Sequence, residues 1–245
     1  MNKGILITQG GYAFNQAIAS RMLAGGHRVV LHIAETEQAA AYRRELEEEV
    51  AARLYILQGD PTKPESLQAM MEEGIHWLDG LDVMIHGDEM LDEEQMMMDR
   101  PEDFGHQISA VFEEIFLWNQ AAVQHMVKKK SGKIIFPIRY DTLYYDGYPS
   151  SPVVNHGKIS MMKCLSRECS VFRIDVNVMS FGYHDVGWDR AGKKEMQRKL
   201  EIFGLKPVLK PLEDMLGMLE YLIQAPGSLV GGQNLEIGIG IETNL

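Results

Sequence analysis

The sequence predicts a single α/β domain, residues 1–245, built on a doubly wound parallel sheet, and three observations carry that expectation. Short β-rich apolar runs alternate with segments of helical spacing along the chain. A length of 245 residues suits one such domain with ample core. Near the start, Ile5 to Thr8 and Arg28 to Ile33 flank a helical segment from Asn15 to Leu23, which makes one strand, helix, strand unit.

In that first unit Ile18, Met22 and small residues share the helix face that would meet the sheet. Glu35 to Leu54 carries charge on one face and Ala and Leu on the other, the pattern of a surface helix, and Leu54-Tyr55-Ile56-Leu57 follows as the third strand. Pro64 to Gly74 reads as the next helix, closed by glycine at its C-terminal end. Asp88 to Asp103 is acidic, rich in methionine and without a clear period, so it reads as a loop. Met96-Met97-Met98 within it would serve as an adaptable contact or as packing filler. A long helix is expected from about Phe104 to Lys130. There is no internal repeat and no low-complexity tract.

Composition narrows the function classes. A net charge of -11 and a pI near 5.2 disfavour nucleic acid and anionic membranes, because phosphate binding depends on clustered Lys and Arg. The one basic run, Lys128-Lys129-Lys130, is explained by a solvated helix C-terminus or, alternatively, by an anion site. Cys164 and Cys169 are the only cysteines and lack metal-ligand spacing, so reduced thiols and no metal are expected. A strand begins within the first few residues, leaving no room for a signal peptide, and no apolar stretch is long enough to span a bilayer. The expected compartment is the cytoplasm.

Ordered landmarks then point to one family. Lys3 to Ala19 is similar to a first strand, a Thr-Gly-x-x-x-Gly-x-Gly turn and its helix. Asp60-Pro61-Thr62 is similar to the acidic residue after a third strand that touches adenine. Leu81 to Glu89 stands where a fourth strand ends in Asn-Asn-Ala-Gly, and Gly132 to Arg139 where a fifth ends in a catalytic serine. Lys158 is the lysine of a Tyr-x-x-x-Lys pair, Val176 to Gly182 is similar to a sixth strand with its Pro-Gly, and Pro207 to Leu216 to the segment opening a last helix. Gly232 to Gly240 is similar to a last strand usually written Gly-Gln-x-Leu-x-Val-Asp-Gly-Gly. Together these resemble the short-chain dehydrogenase/reductase superfamily over nearly the whole chain, which implies a Rossmann-like fold.

The resemblance also shows what is missing. A dinucleotide turn needs glycine where the backbone turns tightly, where it approaches the pyrophosphate and where the helix packs on the strand. Those places hold Gln9, Ala13 and Asn15, although Gly10 and Gly11 keep a turn possible. Ile33 stands where an acid would grip the adenosine ribose, and no arginine pair is set for a 2′-phosphate. Glu35 could reach a ribose or simply begin a helix. Asp60 is the retained cofactor position, explained equally well as a loop or cap residue. His86-Gly87-Asp88-Glu89 would bring two carboxylates toward the cofactor's negative groups, a repulsive placement.

For catalysis the resemblance implies a tyrosine phenol that passes a proton, a lysine that lowers its pKa and holds the ribose, an orienting serine and a relay asparagine. The matching positions are Val154, Lys158, Arg139 and Val111, so only Lys158 is retained. Without a proton-transfer partner at this spacing it is expected to be structural, paired with an acid. Tyr140, Tyr144, Tyr145 and Tyr148 crowd the segment after Arg139 and would supply a relocated acid or aromatic packing. On a helix His156 points away from Val154 and Lys158.

The expected function is that of a non-catalytic subunit, with no cofactor or metal of its own, paired with an active paralogue that carries NAD in a heterodimer or heterotetramer. The implied reaction is NAD-dependent oxidation of a β-hydroxyacyl-CoA to the β-oxoacyl-CoA. Phe112, Ile115, Phe116, Trp118 and Met126, with Ile159, Met161, Met162 and Leu165, would form the interface, or ordinary core. Two alternatives stay open: an active 3-oxoacyl-thioester reductase with a displaced acid, and a ligand-sensing regulator that uses the old pocket.

Overall fold

The computed structural model describes residues 2–89, 91–139, 151–185, 187–201, 204–206 and 208–238. The elements run β1 Gly4–Ile7, α1 Ala13–Ala24, β2 Arg28–His32, α2 Thr36–Arg44, α3 Glu48–Ala51, β3 Leu54–Leu57 and α4 Pro64–Leu78. They continue β4 Val83–Ile85, α5 Glu93–Asp99, α6 Phe104–Lys129, β5 Gly132–Arg139 and α7 Pro152–Cys169. β6 Ile174–Phe181, α8 Arg190–Lys199, α9 Leu212–Gln224 and β7 Asn234–Ile237 complete the chain. One sheet of seven strands has the order β3-β2-β1-β4-β5-β6-β7, every pairing parallel. The doubly wound parallel sheet expected from the sequence is therefore the architecture observed.

Successive side chains of a strand face opposite sides, so a sheet covered on both faces needs continuous apolar runs. β1 does this: Ile5 and Ile7 pack with Ile18 and Met22 of α1 and with Leu216 and Leu219 of α9, while Leu6 joins the opposite core with Met70 of α4, Trp118 of α6 and Met162 of α7. Lys133 donates to the carbonyls of Leu222 and Ala225, both at 2.6 Å, and so ties the end of α9 to β5.

Three local expectations are corrected. The charged stretch from Glu35 is two helices, α2 and α3, with an interruption after Arg44. α4 runs past Gly74 to Leu78, where Asp79 at φ 57° supplies the left-handed cap; Gly74 instead lets the helix lie against Leu57 and Val30. The acidic stretch read as a loop contains α5, whose N-cap Asp92 accepts the Gln95 N–H at 3.0 Å. Of the apolar residues of α6 and α7 for which an interface and ordinary core were both open, Ile115, Trp118, Met126 and Met162 are buried in the core, Phe112, Ile159, Met161 and Leu165 are half-buried, and Phe116 is 58% exposed. Phe112 lies against Gly157, where a Cβ would stand 2.1 Å from its ring, so this position brings α6 and α7 close together.

Candidate functional site

In a doubly wound sheet the ligand cleft lies at the carboxyl ends of the strands where their order reverses, here between β1 and β4. The residues that leave β1, β4 and β5 at that edge are Gln9, His86 to Glu89, and Arg139. They meet α7 through a buried charge cluster. Asp88 is 1% exposed; its Oδ1 accepts from Lys158 Nζ at 2.8 Å and its Oδ2 from Arg139 Nε at 2.9 Å. Burial pushes the Asp88 carboxyl up, but Lys158 and Arg139 outweigh it and hold the group below the usual carboxylate range. The acid partner expected for Lys158 is thus Asp88. The repulsion expected from Asp88 gives way to this neutralisation, while Glu89 accepts from the Tyr12 hydroxyl and has no salt bridge among the described residues.

The positions where glycine was missing are built into the protein itself. Gln9 adopts φ 55°, the left-handed backbone that glycine reaches freely, and donates through Nε2 to Glu114 at 2.9 Å. Asn15 is buried at the start of α1, where its amide donates to the carbonyls of Gln9 at 2.7 Å and Asp88 at 3.3 Å and its Oδ1 accepts the Asp88 N–H at 2.9 Å. Gly87 donates its N–H to Thr8 Oγ1 at 3.0 Å, and a Cβ there would meet the Thr8 carbonyl at 2.1 Å, so the end of β4 is pressed onto β1. The space bounded by Thr8, Gln9, His86, Glu89, Glu114 and Lys158 is about 20 Å³, room for roughly one water. Val111 stands at its edge. Burial raises the pKa of Glu114, and burial with the Glu89 contact at 2.8 Å raises that of the Tyr12 phenol.

The remaining expected positions are spread out. Ile33 is buried in the core and Asp60 is exposed, its carboxylate accepting from the Thr62 N–H at 3.0 Å and its hydroxyl at 2.6 Å; these bonds and Lys63 hold its pKa near 2. Val154 is fully buried in the first turn of α7. His156 lies on the exposed side of that helix, with Nδ1 at 2.8 Å from the Pro152 carbonyl. Tyr140, Tyr144, Tyr145 and Tyr148 lie outside the described residues. Ala13 and Arg139 line a separate cleft of about 550 Å³ with Phe14, His184, Asp185, Pro211, Leu212 and Glu213.

Sequence reasoning missed Glu93. Its buried carboxylate accepts the N–H groups of Val153 at 2.8 Å and Val154 at 2.9 Å, capping α7 from α5. Glu93 is one of eight acids in the stretch from Asp88 to Asp103 read as a loop, and a long-range cap has no sequence spacing to betray it. Among the described residues no cluster of three His, Cys, Asp or Glu is arranged to hold a metal, and no helix is long and apolar enough to cross a membrane.

The family model described as short chain dehydrogenase matches residues 3–197. The chain belongs to the short-chain dehydrogenase family. Within it, the chain is 23% identical over 243 residues to the 3-oxoacyl-[acyl-carrier-protein] reductase MabA of Mycobacterium tuberculosis, covering 98% of this chain and 93% of that protein. It is 22% identical over 250 residues to L-rhamnose-1-dehydrogenase of Scheffersomyces stipitis, covering 99% and 97%. A short-chain type dehydrogenase/reductase structure from Mycobacterium ulcerans superposes with a TM-score of 0.76 at 16% identity, over 97% of this chain and 88% of that one. A dehydrogenase/reductase structure from Sinorhizobium meliloti gives 0.72 at 22%, over 97% and 94%. Relatives of such different substrates match about equally well, so similarity selects the family and its oxidoreductase class but no substrate.

The site also gives the fold an acid-sensitive group. His86 stacks on Phe136 at 4.5 Å between ring centres and pairs through Nε2 with Asn119 Oδ1 at 2.9 Å. Burial lowers its pKa to about 4. Because the folded value lies below the ordinary 6.5, this contribution is complete above pH 6.5 and is lost as pH falls toward 4, at up to about 1.4 kcal/mol per pH unit. His32 and His184 are lowered by burial and act with the same sign. Thermal melts should show a clear drop in midpoint from pH 7 to pH 5, and His86→Asn should flatten it. An unchanged midpoint over that range would rule out a neutral buried His86.

Proposed function

We propose that the chain is a non-catalytic subunit that assembles with an active short-chain dehydrogenase paralogue, which holds NAD and performs the chemistry. The observation that carries this reading is the Asp88, Lys158, Arg139 cluster. The one catalytic-type residue the chain keeps is committed to an internal ion pair, and the place of the proton-passing phenol is a buried valine. The residues present do not fit a dinucleotide: Gln9 and Asn15 side chains occupy the turn, Ile33 stands in place of the ribose acid, and Lys158 is held by Asp88. The substrate class proposed is a β-hydroxyacyl thioester oxidised to its β-oxo form, a chemistry shared with relatives named 3-oxoacyl-[acyl-carrier-protein] reductase at 21–23% identity. At its narrowest, the reading resembles the degenerate subunit of the 2-[hydroxy(phenyl)methyl]succinyl-CoA dehydrogenase of anaerobic toluene breakdown.

Those relatives' names also favour a second reading, an active reductase with a displaced acid. Co-expression of the chain with any short-chain dehydrogenase encoded beside it separates the two. Assembly predicts a stable complex whose turnover is lost when the partner's catalytic tyrosine is replaced. Turnover of a 3-oxoacyl-CoA by this chain purified alone would establish the second reading instead.

A further inference from the structure

A cleft of about 550 Å³ lies open beside the charge cluster, between the start of α1, the end of β5 and the start of α9. Phe14, Pro211 and Leu212 form its apolar walls, and Arg139 is its cation. Asp88 is shared between two cations, Glu89 and Glu114 lie on the Lys158 side, and Arg139 is the member that reaches the cleft. Its Nε is taken by Asp88 and its guanidinium carbon lies 5.3 Å from the centre of the Phe14 ring. Among the described residues no hydrogen bond uses its Nη nitrogens. A guanidinium offers a planar fork that matches a carboxylate, and a partly buried cation next to unfilled apolar space is stabilised by an anion.

The other charged groups of the cleft narrow the ligand. His184 is held below the ordinary histidine pKa by burial and bonds the Gly182 carbonyl through Nδ1 at 3.0 Å, so it brings no charge at neutral pH. Asp185 is paired with Lys193 and accepts the Gly187 N–H at 3.1 Å. Glu213 is exposed in the first turn of α9, has no salt bridge among the described residues, and with Asp185 opposes phosphates and dicarboxylates. One negative charge on an apolar body is what this arrangement accommodates.

We propose that the cleft binds a small monocarboxylate, its carboxylate forked by the Arg139 Nη groups and its apolar body laid against Phe14 and Leu212. This goes beyond the assembly role and does not depend on it, because the cleft belongs to this chain alone. The test is calorimetry at low salt on the full chain with hexanoate and benzoate, each against its neutral amide. The carboxylates should bind at least about tenfold more tightly than the amides, the margin of one charge-assisted hydrogen bond. Arg139→Gln, which leaves Asp88 bonded to Lys158, should erase that preference. Glu213→Gln changes only an exposed side chain and should tighten carboxylate binding severalfold, so it decides the matter if the Arg139 variant fails to fold. Equal binding of acids and amides, no binding of either acid, an acid preference retained in folded Arg139→Gln, or carboxylate affinity unchanged in Glu213→Gln would overturn the proposal.

Discussion

Asp88→Ala is expected to destabilise the fold by about 3–5 kcal/mol, because it strands the Lys158 ammonium in a site that is 1% exposed. Arg139 can swing toward its cleft and solvent, but Lys158 sits on α7 with its head against the ends of β4 and β1. Chemical denaturation of the single variant should show the loss as a lowered midpoint. The double variant Asp88→Ala/Lys158→Met should recover more than half of it, since removing both members leaves no buried charge without a partner. A single-variant loss below about 1 kcal/mol would mean that the pair is solvated, and the argument that Lys158 is committed to structure would fail.

Phe116→Asp is expected to leave the subunit folded and abolish its co-purification with the active paralogue. The side chain is 58% exposed on α6, so a charge there costs the monomer little. Desolvated in a helix contact without a partner, the same carboxylate costs several kcal/mol, and interfaces of this kind depend on a few apolar anchors. Met162→Asp makes the contrast: Met162 is fully buried in the core between the sheet and α7, so that variant should lose its fold as well as its partner. Circular dichroism distinguishes the two cases. If folded Phe116→Asp still co-purifies, the contact lies elsewhere, for which the exposed Met218 and Tyr221 of α9 are the next surface to test.

Much of this was legible in the sequence wherever the signal was local. The alternation of β-branched runs with helical spacing was enough for the sheet, because apolar period is imposed by the layers each element packs between. Gln9, Asn15, Arg139 and Val154 could be placed by their neighbours in short motifs. What each one does could not, because the answers are pairings across the fold: Arg139 with Asp88 lie 51 residues apart, Lys158 with Asp88 70, and Gln9 with Glu114 105. A cation at the end of β5 and an acid at the end of β4, beside a retained lysine, were complementary in charge, and that was the available hint. The choice between interface and core for α6 and α7 stayed open because helical spacing alone does not separate an inward face, such as that of Trp118 and Met162, from an outward one such as that of Phe116. α5 was missed because seven residues rich in acids and methionine give no period to read.

The most direct test of the central claim is a calorimetric titration of the purified chain, alone, with NADH and with NADPH. Gln9 and Asn15 fill the turn, Ile33 replaces the ribose acid, and Lys158 is engaged by Asp88. Each lost phosphate or ribose contact is worth about 1 kcal/mol or more, and together they remove several powers of ten in affinity. The account predicts no saturable heat up to millimolar cofactor in a chain that melts cooperatively. Saturable binding of either cofactor in the micromolar range would contradict it.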